Sequence, residues 1–324
     1  RPPTPQHICV FFSLELAITD TLGDVLYDLA TAIYKDAVKL DLGAQEPDEG
    51  EFMNDPQRSF LQFFERVEKS LGDRRLLIMI DEIDILIAKV EEGVLSHDVF
   101  NFLRGLMQHS DKIAFIVTGA YKVNEMLKDN RSILFNIARP FKISYLYESE
   151  AAALIVEPLA GDLTYDNMVV EKIIRVTACH PYFIQYICDS LVKLAQKMRK
   201  NFVYLPDIDV VLQEVIQDNT GVLQNSVYAP LSKPEQRVLA SLANVTDERR
   251  VFILPDAVAE MLDKYQLQVP KPQLLDALRS LRERDLAVEK RIGQSLQYGF
   301  KMDLIRMWLR QNEMLLRLSQ EAKI

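Results

Sequence analysis

The stretch Arg74-Arg75-Leu76-Leu77-Ile78-Met79-Ile80-Asp81-Glu82-Ile83-Asp84 reads as a buried strand that ends on acid. Five consecutive apolar residues suit a strand covered on both faces, as the strands of parallel sheets are. Two adjacent carboxylates, Asp81 and Glu82, then stand where ligands collect in open α/β folds, outside the carboxyl ends of the strands. The competing interpretation is a buried strand followed by an exposed acidic turn.

Around this segment, residues 8–146 alternate strand-like and helix-like patterns, the signature of a parallel sheet with helical crossovers. Four strands are predicted, at 8–13, 76–80, 113–118 and 141–145. Leu22, Val25, Leu26, Leu29 and Ile33 recur at helical spacing, and Asp55-Pro56 opens a second helix presenting Phe60, Phe63, Phe64, Val67 and Leu71. Residues 41–54, with Gly43, Pro47, Gly50 and five acids, read as a solvated loop.

Beyond Tyr147 helices take over, at 150–158, 166–178, 181–200 and 206–217, followed by a polar linker over 218–226. From Leu231 three helices are predicted, at 234–242, 255–265 and 271–284, the first opened by the capping box Ser232-Lys233-Pro234-Glu235. Two short strands at 287–291 and 296–300 and a terminal helix from Asp303 complete the order of a winged helix. The expected organisation is an α/β sheet core at 1–146, an all-α lid at 147–224 and a winged-helix domain at 225–324.

The chain has 324 residues, 48% of them hydrophobic, and a net charge of -9. The charge is uneven: residues 1–225 carry 22 Lys+Arg against 34 Asp+Glu, whereas 226–324 carry 16 against 13. The acidic balance argues against a protein whose main task is coating nucleic acid. Cys9, Cys179 and Cys188 lie in apolar surroundings without metal-ligand spacing, which predicts buried reduced thiols and a cytoplasmic setting. His7, His97 and His109 likewise show no ligand spacing. The apolar stretches are too short to span a bilayer, so no membrane partner is expected.

Three segments together resemble the AAA-like P-loop ATPases of the STAND class, a group that shades into origin-recognition-type initiators. Asp81-Glu82-Ile83-Asp84 looks like the end of a Walker B segment. The run Ile113 to Ala120 is placed like a sensor-1 strand ending on Thr118. Ala178-Cys179-His180-Pro181-Tyr182-Phe183-Ile184-Gln185 looks like the family's Gly-His-Pro-Tyr motif at the start of a lid helix, with Ala178-Cys179 in place of the usual glycine. The resemblance implies ATP and Mg2+ as cofactors, with Asp81 serving the metal and Glu82 activating the attacking water. It assigns Thr118, His180 and Pro181 to nucleotide contacts, and Arg131 or Arg139 to the γ-phosphate.

No G-x-x-x-x-G-K-[ST] occurs in these residues, nor even a Gly-Lys pair. The expectation is therefore that a phosphate-binding loop and its strand precede residue 1, that this strand is the missing inner strand of the sheet, and that residues 1–324 alone are inactive. The main functional expectation is a regulatory ATPase switch acting on a protein partner or on an effector domain of the same polypeptide; a homo-oligomer is compatible with it. Two alternatives stay open: a DNA-binding replication initiator or transcription regulator, and a non-hydrolysing scaffold. Lys271, Arg279, Arg282, Arg284, Lys290 and Arg291 could contact phosphates, but Asp276, Glu283, Asp285 and Glu289 are interleaved with them, so nucleic acid is not the favoured partner.

Overall fold

The computed structural model describes residues 7–39, 45–119, 137–247 and 251–322. The chain divides into two compact units, Arg1–Lys142 and Ile143–Ile324. The first is an α/β unit with element order β1 (His7–Ser13), α1 (Leu22–Lys39), α2 (Glu49–Asn54), α3 (Pro56–Ser70), β2 (Arg75–Asp81), α4 (Asp84–Glu91), α5 (Asp98–His109) and β3 (Ile113–Val117). The strands form one parallel sheet in the order β1-β2-β3, with Val10 opposite Ile78 and Ile78 opposite Phe115.

Strand periodicity divides the side chains between two faces. Ile8, Val10 and Phe12, with Leu76, Ile78, Ile80 and Ile113, merge into one core with Leu26 and Ile33 of α1, Phe60 and Phe64 of α3, and Leu103 and Leu106 of α5. Phe64 stacks on Phe115 at 6.3 Å between ring centroids. The aromatic stripe of α3 is thus core, and Asp55 caps its helix by accepting from the Arg58 N–H. The opposite face carries Cys9, Phe11, Leu77, Met79, Ala114 and Ile116, and it stays open: Phe11 is 60% exposed and Ile116 48%. Among the described residues β3 pairs only with β2, so its outer edge is unpaired.

Three expectations need correction. Residues 141–145 form no strand; Phe141 and Ile143 are 88% and 85% exposed, because a strand requires a paired neighbour and none of the described strands adjoins them. The loop expected at 41–54 contains helix α2, which Asp48 caps and Phe52 anchors in the core; residues 41–44 lie outside the described residues. Cys9 is exposed rather than buried, since it sits on the open face; Cys179 is buried and Cys188 half-buried.

The second unit comprises α6 (Glu148–Val156), β4 (Thr164–Tyr165), α7 (Asn167–Thr177), α8 (Pro181–Lys197), β5 (Phe202–Val203) and α9 (Leu205–Asp218). It continues with α10 (Lys233–Val245), α11 (Pro255–Lys264), α12 (Lys271–Glu283), β6 (Ala287–Ile292), β7 (Ser295–Phe300), α13 (Asp303–Gln311) and α14 (Met314–Glu321). β6 and β7 make an antiparallel hairpin, to which Ile253 adds a single bridge at Tyr298. Gly299 permits this approach, since a Cβ there would meet the Val251 carbonyl oxygen at 2.4 Å.

One hydrophobic core runs from Ala151 to Leu318, so α13 packs on α7 and α9 as well as on α10. The linker expected at 218–226 is a correction too. It is helical, as a short turn Thr220–Val222 and a π-helix Leu223–Tyr228, with Asn219, Leu223 and Tyr228 buried. Tyr228 meets the single tryptophan, Trp308, edge-on at 5.8 Å. Among the described residues no helix is long and apolar enough to cross a membrane.

Candidate functional site

The sheet register builds the site. Ile80 lies opposite Val117, so the next step along both strands brings Asp81 beside Thr118. The Thr118 hydroxyl donates to Asp81 Oδ1, the Thr118 N–H donates to the Ile80 carbonyl at 2.9 Å, and the Ile83 N–H donates to the Thr118 carbonyl at 3.0 Å. On the other side, Ser13 is in register with Asp81 and the Leu14 N–H donates to the Asp81 carbonyl at 3.2 Å. Asp81 is thereby fixed from both neighbouring strands, at their carboxyl ends.

Glu82 follows with φ of 59°, a left-handed conformation unusual for a glutamate. Such strain persists only where the surroundings hold it. Here the Glu82 N–H donates to Asp81 Oδ1 at 3.1 Å, and the chain then turns into α4. Partial burial raises the Glu82 pKa above the ordinary glutamate value, and the negative charges of Asp81, Glu15 and Asp84 push it in the same direction. A carboxylate moved toward neutrality is a better proton acceptor at physiological pH. Glu15, at the carboxyl end of β1, was not singled out from the sequence. Its only signal there is its place just after the first strand.

Oxygen donors of this kind suit Mg2+, which is held by one or two carboxylates with water and phosphate completing its shell. Asp81, oriented by Thr118, fits such a role. Arg139 is exposed and outside the Asp81–Thr118 hydrogen-bond set, and Arg131 lies outside the described residues.

His180 and Pro181 belong to the second unit. His180 is the N-cap residue of α8, with Pro181 at its first helical position, where a missing N–H is harmless. The preceding Ala178 and Cys179 have φ of 49° and 65°, so the pair standing where the family carries glycine adopts the backbone that glycine favours. The His180 side chain does not cap the helix. Its ring meets Tyr145 edge-on at 5.3 Å and Phe183 at 5.2 Å, and burial lowers its pKa, favouring the neutral imidazole.

No protein-family model and no curated protein matches the sequence. Among solved structures, the chain is similar to the Aeropyrum pernix ORC2 protein, solved as ADPNP-ADP complexes, with a TM-score of 0.62 and 13% identity over 98% of this chain and 80% of that one. It also matches Drosophila ORC bound to DNA, with a TM-score of 0.45 and 16% identity over 95% of this chain and 73% of that one. A third match is the Aeropyrum pernix ORC1 protein in complex with DNA, with a TM-score of 0.42 and 14% identity over 97% of this chain and 80% of that one. At these identities the likeness concerns fold alone, and the second and third matches add nothing to it. The chain shares the α/β fold of that ORC2 protein.

Proposed function

We propose that this chain is the larger part of a nucleotide-dependent AAA+ ATPase of the replication-initiator kind, completed by a phosphate-binding loop and strand outside these 324 residues. The observation that carries this reading is the Asp81–Glu82–Thr118 set at the carboxyl ends of two adjacent parallel strands. The likeness to the ORC2 protein along 98% of the chain favours an initiator architecture over the signalling switch. Two features support the missing strand: among the described residues the outer edge of β3 is unpaired, and the apolar face around Phe11 and Ile116 is open. Parallel sheets are covered on both faces, and an inner strand with its following helix would supply a neighbour and a cover together.

In this reading Asp81, oriented by Thr118, would hold Mg2+, Thr118 would also contact the nucleotide, and Glu82 would take a proton from the attacking water. The metal, when bound, would neutralise charge on the phosphates. Arg131 and Arg139 are assigned to the γ-phosphate, and His180 and Pro181 to the nucleotide, on the family resemblance. The test compares Mg-ATP binding by residues 1–324 with binding by the same chain extended by the codons that precede it in the gene. Binding by the extended chain alone is expected. Codons that encode no G-x-x-x-x-G-K-[ST], or equal binding by both proteins, would refute the proposal.

The three-helix and hairpin segment is read as a winged helix whose main partner is protein. The basic side chains of α12 face acids: Arg279 lies 3.2 Å from Asp276, Arg282 3.4 Å from Glu289, Lys271 3.2 Å from Asp256, and Arg284 3.3 Å from Glu235. Lys290 and Arg291 are exposed on β6, with the Lys290 ammonium over the Phe252 ring at 5.5 Å. With few cations to offer, duplex binding by the chain is expected to be weak, with a log–log salt slope of about -2. Sequence-selective submicromolar binding with a steep slope would instead make the segment a DNA reader.

A further inference from the structure

Within the second unit, the turn that opens α8 and the hairpin β6–β7 are far apart in sequence, and one side chain touches both. Tyr145 is the third residue of this unit. Its neighbour Leu146 donates its N–H to the Cys179 carbonyl at 3.1 Å, which ties residues 145–146 to the left-handed pair Ala178-Cys179. The ring of Tyr145 packs edge-on against His180. From the other side, the Lys301 ammonium lies over the Tyr145 ring at 5.0 Å, and the Tyr145 hydroxyl donates to the Asp285 carbonyl at 3.3 Å. Asp285 and Lys301 bracket the hairpin, and the Lys301 N–H donates to the Leu286 carbonyl at 3.1 Å, closing its base.

A second tie leaves the same turn. The Tyr182 hydroxyl donates to Asn219 Oδ1 at 2.9 Å, and the Asn219 carbonyl accepts from Leu223 at the start of the π-helix that leads to α10. The turn is strained at two successive non-glycine residues, so it holds its shape through its contacts rather than by backbone preference. A strained turn held from outside responds when the holding contact is altered.

We infer that Tyr145 couples the α8 turn to the β6–β7 hairpin, so that a change of state at either one shifts the other. The coupling runs through a packed aromatic ring with a cation on one side and an imidazole on the other. It is reciprocal, as any such coupling free energy must be. The inference does not rest on ATP hydrolysis, because every contact lies inside the second unit.

The test perturbs one end and reads the other, by hydrogen exchange of the whole chain. Lys301→Gln removes the cation from the ring while leaving its backbone bond to Leu286 in place. The amides of Leu146 and His180, which donate to Cys179 and Thr177, are expected to exchange at least about threefold faster, the size of effect a partly desolvated cation–π contact supports. In a Tyr145→Leu background the same substitution should change those two amides no further, since the conduit is gone. Unaltered exchange at Leu146 and His180 after Lys301→Gln would overturn the inference. So would an equal rise at the buried helix residues Leu212 and Leu239, which would signify general destabilisation. If Tyr145→Leu does not fold, the Lys301→Gln measurement decides alone.

Discussion

With the phosphate-binding segment present, Glu82→Gln is expected to keep ATP bound while turnover falls by about 100- to 10,000-fold, the range a general base contributes. The substitution replaces a raised-pKa carboxylate with an amide of the same shape. It leaves Asp81 and Thr118 hydrogen-bonded to each other, so the proposed metal and phosphate contacts should survive. Phosphate release measured alongside retained nucleotide would separate the two effects. Hydrolysis at the parental rate would exclude Glu82 as the base; loss of nucleotide would show that it serves binding instead.

The second large effect lies at Glu235. The residue is 6% exposed, and its carboxylate accepts from the Ser232 N–H at 2.7 Å and the Ser280 hydroxyl at 2.5 Å, with Arg284 Nε at 3.3 Å. One side chain therefore closes the capping box of α10 and clamps α12 against it. Burial works to raise its pKa, but the serine hydrogen bonds and Arg284 outweigh burial and hold it below the ordinary value of 4.5. Glu235→Leu should destabilise the second unit by about 3 kcal/mol, typical of breaking a buried charged network. Because the folded value is the lower one, the carboxylate contributes fully above 4.5 and loses that contribution as pH falls through 4.5 and then through the folded value. Trp308, the only tryptophan and fully buried in this unit, reports the transition. An advantage over Glu235→Leu that persisted unchanged into strong acid would contradict the assignment.

Residues with strong local signals were legible in the sequence. The apolar run Leu76–Ile80 gave β2, Asp55-Pro56 gave the start of α3, and Ser232 to Glu235 gave the cap of α10. The adjacency of Asp81 and Thr118 came only with the structure, which sets β2 and β3 side by side. What escaped depended on neighbours. Phe141, Ile143 and Tyr145 alternate like a strand, but alternation supplies no pairing partner, and Tyr145 is spent on His180 and Lys301 instead. Cys9 has the same apolar surroundings as its buried neighbours Ile8 and Val10 and differs only in which face of β1 it occupies. The polar composition of 218–226 concealed Asn219 and Leu223, which are buried because α9 and α13 close around the same core.

That common core has an evolutionary consequence. A segment that buries its own apolar surface can be copied from one gene to another as a cassette, whereas the hairpin end of this chain contributes Trp308, Leu309 and Leu315 to a core also built by Ile173, Ile187 and Val215. Recombination between α9 and α10 would leave each half with an exposed apolar face. The lid helices and the C-terminal helices are therefore expected to be inherited together, their substitutions compensating one another across a boundary that composition alone would draw as a joint.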